Sequence, residues 1–317
     1  MTDVAFIHCI EKKESHSFEQ DALIMLESMK LTNEKIFNTH DIHIIQPSTY
    51  DIDDDTINYF NENNIIFIKK ILNNPQKNTH TNYTNIPIIQ NYYSNILKNK
   101  YMCWMDLDVM YLKDISDKFQ ETDKCVLSIM DLKRMPEHDA GFQVNDTYQK
   151  YFKKYISLKY NVEHLDCFVN TWFIYAKTEN NFWKEYSVLT KHLLNIVHEY
   201  HMEVPELESM CEEIAASILY QLNKDGFIDI SVYFGTNVLA YQEPVAKTLP
   251  EYWCTNDSII YHYNNASEIT KSISDINLYT RDKIIFILQQ IIGIKKALLY
   301  MKTKLSEYSV KRKSWQE

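Results

Sequence analysis

Tyr101-Met102-Cys103-Trp104-Met105-Asp106-Leu107-Asp108-Val109-Met110-Tyr111-Leu112-Lys113-Asp114 opens as an unbroken apolar run and then stops at two carboxylates. The run is too short for an ordinary helix. It reads as a strand buried on both faces, of the kind found at the centre of a parallel sheet. In extended backbone, Asp106 and Asp108 point the same way, about 6–7 Å apart. Two carboxylates at the end of a buried strand repel each other unless a cation lies between them. A hard divalent ion fits such a pair and could also hold a diphosphate. The plainer alternative is a strand end that carries two turn-forming acids. Asp51-Ile52-Asp53 has the same spacing, but Asp54 and Asp55 follow it and no apolar strand feeds it. It is expected to be the acidic start of a helix.

Outward from that stretch, the chain alternates apolar runs with segments of helical spacing. Val4–Ile10, Asp41–Ile45, Ile65–Ile68, Tyr101–Asp106, Lys124–Met130, Cys167–Ala176, Phe227–Val232 and Ile259–Tyr263 read as strands of one sheet. Phe18–Leu31, Asp54–Asn61, Ile86–Leu97 (with Pro87 in its first turn), Asp146–Tyr160, Asn181–His201 and Pro205–Leu222 read as helices. The predicted class is α/β, with a mostly parallel central sheet flanked by helices. Residues 1–278 are expected to form one catalytic domain and residues 279–317 a helical tail.

Composition narrows the function. The 317 residues are 45% hydrophobic, which is ample for a sizeable core. A net charge of −10 argues against nucleic acid as a partner. Only four glycines are present, and they form no phosphate-binding glycine loop, so any bound nucleotide needs another device for its phosphates. The six cysteines are scattered without a C-x-x-C pair, which suits buried thiols in a reducing compartment. No basic leader or twenty-residue apolar run is evident, so neither a signal peptide nor a membrane-spanning helix is expected, and the predicted location is cytoplasmic.

Three separated pieces resemble the metal-dependent GT-A glycosyltransferases, notably the glycogenin-like and lipopolysaccharide sugar transferases. Trp104–Ile115 resembles the family's D-x-D segment with its leucine, basic, aspartate, isoleucine continuation. Phe168-Val169-Asn170-Thr171-Trp172-Phe173-Ile174 is similar to the strand beneath the donor sugar, with Trp172 where the family has glycine. Ile259-Ile260-Tyr261-His262-Tyr263-Asn264 resembles the late strand whose histidine completes the metal site, without the lysine that commonly follows. Tyr83-Thr84-Asn85-Ile86 resembles another family segment, with Ile86 in place of a lysine. Trp172 is expected to crowd the sugar site or reshape access for the acceptor.

The resemblance implies a GT-A fold and transfer of a sugar from a nucleotide-diphosphate donor, UDP ahead of GDP. It implies a metal held by Asp106, Asp108 and His262, Mn²⁺ ahead of Mg²⁺ because of the imidazole. It places the nucleotide on His8, Cys9, Ile10, Asn85, Asp106, Leu107 and Asp108. Asn170 becomes a contact to sugar hydroxyls, or otherwise a residue satisfying local backbone. Asp131 and Asp166 become groups that position a donor hydroxyl, or otherwise solvated turn acids. Glu213, beside Glu212, is the candidate base for the acceptor hydroxyl, against the alternative of two solvated first-turn acids. His262 has its own alternative, a hydrogen-bonded core histidine.

The acceptor class stays open between glycan, protein and lipid-linked hydroxyls, and so does homo-oligomerisation. The basic tail, Lys295-Lys296 through Lys311-Arg312-Lys313, is read as a packed helix with a solvated face or as a peripheral membrane contact. Two other functions compete with glycosyl transfer. One is a non-catalytic nucleotide-sugar-binding or virion structural protein on the same fold. The other is a sugar nucleotidylyltransferase, which would want the glycine loop that is missing here.

Overall fold

The structure is a computed structural model that describes residues 3–10, 12–13, 16–47, 51–69, 81–117, 119–131, 140–199, 207–229, 234–236 and 260–262. In chain order the strands are β1 (Val4–Cys9), β2 (Lys12–Lys13), β3 (His16–Ser17), β4 (Asp41–Gln46), β5 (Ile66–Lys69), β6 (Tyr101–Met105), β7 (Val109–Tyr111), β8 (Cys125–Asp131), β9 (Cys167–Lys177), β10 (Phe227–Asp229), β11 (Phe234–Thr236) and β12 (Ile260–His262). The α-helices are α1 (Phe18–Thr32), α2 (Glu34–Thr39), α3 (Asp54–Glu62), α4 (Thr81–Ile96), α5 (Ala140–Thr147), α6 (Lys153–Tyr160), α7 (Phe182–Glu199) and α8 (Leu207–Leu222). The described residues divide between two compact units, and the chain passes from one to the other several times, once between Asp106 and Leu107.

The first unit is built on a seven-stranded sheet in the order β10-β8-β9-β6-β1-β4-β5. It is mostly parallel, and β9 is the strand that runs against its neighbours β6 and β8. The expected α/β architecture holds. All five residues of β6 are buried, which is why its sequence carries no polar alternation. Helices α4, α7 and α8 pack on one another, and α8 also packs on β9. β9 is not regular. Leu127 of β8 pairs with Ile174, yet the next residue, Ser128, pairs with Asn170, so Thr171–Phe173 are passed over on the β8 side. The polar pair Asn170-Thr171 inside an otherwise apolar strand marks that bulge.

The second unit holds α1, α2 and a three-stranded sheet in the order β11-β12-β7. Side chains of its helices clamp the segment that follows Asp108. The Ser28 hydroxyl accepts from the Tyr111 amide at 3.0 Å, and Asn33 Oδ1 accepts from the Ile115 amide at 2.7 Å. The Asn33 amide donates to the Lys113 carbonyl at 3.1 Å, so one buried asparagine satisfies backbone on both sides of Asp114.

Some expectations need correction. Ile259–Tyr263 does not close the main sheet; its described part, β12, pairs with β11 and antiparallel to β7. α4 begins five residues before the predicted start at Ile86, so Pro87 lies inside the helix instead of in its first turn. The polar segment Thr81–Asn85 has no apolar spacing that would have shown this. The predicted helix Asp146–Tyr160 spans the end of α5, a π-helical turn at Tyr148–Phe152 and then α6. The acidic segment after Asp51-Ile52-Asp53 does open a helix, with Asp54 and Asp55 in the first turn of α3. The predicted tail, 279–317, lies outside the described residues. Among the described residues, no helix is long and apolar enough to cross a membrane.

Candidate active site

In the first unit, strand direction brings many of the candidates to one edge of the sheet. β1 and β6 run parallel, so His8 and Asp106 stand at the same end. β9 runs against β6, so its first residues share that end, and β8 returns to it with Asp131 opposite Cys167. This is the edge formed by the carboxyl ends of the parallel strands, where open α/β sheets bind ligands.

Two bonds fix the end of β6. The Asp106 amide donates to the Trp172 carbonyl at 2.9 Å. His8, fully buried, has its Nδ1 2.8 Å from the Met105 carbonyl. A carbonyl only accepts, so Nδ1 carries the proton and Nε2 presents a lone pair, buried and without a hydrogen-bond partner. Burial holds the imidazole neutral, its pKa lowered to about 4. Cys9 is part-exposed, while Ile10 is buried and donates its amide to the Ile45 carbonyl at 2.8 Å. Asn85 falls within the first turns of α4.

Glu212 and Glu213 are not solvated first-turn acids. They lie at the sixth and seventh positions of α8, and Glu212 is only 7% exposed. Burial is the largest influence on both, pushing the carboxyls toward the neutral form. Glu213 rises to about 8, with the negative charge of Asp106 adding to the effect. Glu212 is raised well above the usual carboxylate range by burial, then by Glu213, then by Asp106. Glu213 keeps part of its surface open, which leaves it the member of the pair that water or an acceptor can reach. Tyr186 of α7 joins the group: burial and then Glu212 raise its phenol, Thr171 pulls the other way, and Glu213 and Asp106 add smaller raising effects.

These groups are under-satisfied. Glu212 Oε2, the Tyr186 hydroxyl, the Thr190 hydroxyl and both amide atoms of Gln90 are buried without a hydrogen-bond partner. Each such atom costs about 1–3 kcal/mol relative to a satisfied one. Tyr186 is not among the sequence candidates because it sits on a helix otherwise read for apolar spacing.

The remaining candidates behave differently. Asn170 Oδ1 accepts from the Trp172 amide at 3.3 Å, which leaves its NH₂ as the outward-acting group. Asp166 is engaged by His164 at 2.9 Å and Lys224 at 3.7 Å, and its amide donates to Gln221. Trp172 does not project as an obstruction. Its side chain is 1% exposed and tilted against Phe173, so it fills the core in the place where the family has glycine.

In the second unit, the β7–β12 register places His262 opposite Val109, the residue after Asp108. Backbone pairing therefore brings the late histidine and the second aspartate of the D-x-D together. Among the described residues, no group of three or more His, Cys, Asp and Glu is gathered as a ready-made metal cage. The donor set of two carboxylates and an imidazole suits Mn²⁺ chemically.

No family model matches the chain, and no curated protein matches it. Among solved structures it is similar to the galactosyltransferase LgtC in complex with donor and acceptor sugar analogues. That match has a TM-score of 0.49 and 12% identity, over 83% of this chain and 88% of the other. It is also similar to the apo form of mouse xyloside xylosyltransferase 1, with a TM-score of 0.45 and 11% identity, over 83% of this chain and 98% of the other.

Proposed function

We propose that the chain is a glycosyltransferase that moves a sugar from a nucleotide-diphosphate donor, UDP ahead of GDP, to a hydroxyl acceptor. The observation that carries this reading is the placement of Asp106 at the carboxyl end of a central strand, beside the buried acids Glu212 and Glu213. A buried carboxyl with an unsatisfied oxygen, as in Glu212, is costly, and carboxyls shifted in this way gather at catalytic sites. Asp106, Asp108 and His262 would hold a divalent ion, Mn²⁺ ahead of Mg²⁺, which when bound neutralises charge on the leaving diphosphate.

The protein's own groups supply the rest. Ionised Glu213 accepts the proton of the acceptor hydroxyl, and the oxygen forms its bond to the anomeric carbon. The carbon–phosphate oxygen bond breaks with its electron pair leaving on the diphosphate. Such a single displacement inverts the anomeric centre. The backbone bond from Asp106 to Trp172 holds the carboxylate's origin still. The Asn170 amide donates to a sugar hydroxyl, and Asp131 lies on the same edge for another. His8, Cys9 and Ile10, at the end of β1, are where the base would lie.

A second reading, a protein that binds nucleotide-sugar without turnover, is favoured by the absence, after His262, of the lysine that commonly grips the donor phosphates. Thermal shift with UDP and GDP, with and without Mn²⁺, is the first test. The nucleotide should stabilise only when the ion is present, and equal stabilisation in excess chelator would overturn the metal-bridged reading. Asp108→Ala should abolish metal-dependent donor hydrolysis while circular dichroism stays unchanged. Ion-dependent binding without any hydrolysis by the parent chain would establish the second reading. His262→Ala should weaken Mn²⁺-supported turnover more than Mg²⁺-supported turnover, because imidazole favours the softer ion.

A further inference from the structure

The π-helical turn Tyr148–Phe152 and α6 present two opposed lines of side chains. Tyr148, Phe152 and Ile156 are buried and anchor the segment. Lys150, Lys154 and Leu158 follow the same spacing on the exposed side, with Lys159 adjoining. Leu158 is 92% exposed, far beyond the other exposed large hydrophobics of the described chain, which reach 53% at most. Each of three lysines stands over the ring of the tyrosine that follows it: Lys150 over Tyr151 at 4.8 Å, Lys154 over Tyr155 at 4.6 Å and Lys159 over Tyr160 at 5.0 Å. No Asp or Glu occurs from Thr147 to Val162, in a chain whose net charge is −10.

A neighbouring helix extends the patch. Burial, and after it the nearby charge of Lys159, disfavour protonation of His192 on α7. One turn earlier on α7, Val188 is 53% exposed, with Lys184 and Lys191 also on the exposed side. Two acids border the patch: Glu185 is hydrogen-bonded by Asn181, and Glu163 is paired with Lys153 at 3.0 Å.

We infer that this ridge is a docking surface for an anionic lipid bilayer. A convex helix with a protruding leucine, flanking tyrosines and a lysine-rich face is the chemistry that seats at the boundary between headgroups and acyl chains. The leucine enters the apolar layer, the tyrosine rings lie at headgroup level, and the lysines meet acidic headgroups. The excess negative charge elsewhere on the chain then favours presenting this face and not others. The surface lies outside the basic C-terminal tail and does not depend on it.

The test is co-sedimentation of the full chain with phosphatidylcholine vesicles, either pure or containing about one third phosphatidylserine. Binding is expected on the anionic vesicles only, and should vanish when salt shortens the Debye length to about 3 Å. Lys150→Gln and Lys154→Gln should each weaken partitioning about fivefold, and Leu158→Asn about tenfold. Circular dichroism and donor hydrolysis in solution should not change in the triple variant. Failure of the parent chain to bind anionic vesicles would overturn the inference. Equal binding to both vesicle types, or full binding by the triple variant, would do the same. Capture of an acidic protein or a sulfated glycan by the ridge, without vesicle binding, would assign it to another class of partner and also overturn it.

Discussion

The two ends of the seven-stranded sheet treat charge in opposite ways. Where β6 begins, every charged group named has a partner in water's reach. Lys100 pairs with Glu121 at 2.9 Å, and Lys177 pairs with Asp123. Asp3 accepts from Asn99 at 2.8 Å and from the Lys100 amide at 3.1 Å, and the Tyr101 hydroxyl accepts from the Thr122 amide. Where β6 finishes, buried Glu212 and half-buried Glu213 lie beside Asp106, and Glu212 Oε2 is without a hydrogen-bond partner. Solvated pairs across a high dielectric contribute little either way, whereas buried like charges are expensive. The costly arrangement stands at the ligand-binding edge and the inexpensive one at the other, which is how a site differs from a surface.

The contrast can be broken from its expensive side. Glu213→Gln should lower donor turnover by about 10²–10⁴-fold, the usual contribution of a positioned base. In the parent chain, turnover should rise with pH through about 8, where Glu213 ionises, and the variant should lose that rise. Stability should move the other way. The folded chain holds a proton on Glu213 between its ordinary pKa of 4.5 and about 8 that the unfolded chain has released. Its contribution is therefore fully present below about 4.5 and lost as pH climbs toward about 8. Melting temperature should fall across that window in the parent and fall less in Glu213→Gln.

Trp172→Ala should cost about 3–5 kcal/mol in urea denaturation, as expected for a buried aromatic. A small loss with faster turnover would mean the tryptophan obstructs a sugar after all. Glu212→Met removes a buried carboxyl while keeping its shape, and should stabilise the fold by about 1–3 kcal/mol at neutral pH. Destabilisation would reveal a partner for that carboxyl. At the other end, Lys100→Ala and Glu121→Ala should leave the urea midpoint unchanged, because both groups are exposed.

Much of this was legible in residues. The apolar runs of β1, β4, β6, β8 and β9 needed only their hydrophobicity, because two-sided burial leaves no polar alternation to misread. The D-x-D stood out because a buried strand feeds it and none feeds Asp51-Ile52-Asp53. The burial of Glu212 was not legible. Charged residues ordinarily mark a helix's outer face, and only their company with Cys211, Ala215 and Leu219 hinted otherwise. Nor could the partners of three-residue strands be read. β7 looked like the continuation of the run before it, and β12 acquires one of its two neighbours, β7, from about 150 residues away in sequence. Pairing of that kind leaves no local pattern.

The antiparallel course of β9 has a consequence for synthesis. On emerging, β1, β4, β5 and β6 can assemble as a parallel half-sheet, with β6 at its margin. β6 is five apolar residues with an unpaired ladder edge, and its partner β9 ends 72 residues after Met105. At about 5–20 residues per second, that margin stays open for roughly 4–14 s. An apolar edge exposed for seconds invites pairing with another nascent chain. Ribosome-bound chains stopped before β9 should accordingly aggregate or recruit holdase chaperones, and chains that have released β9 should not. The strand that gives the sheet its mixed direction thus also sets how long the unfinished protein is vulnerable.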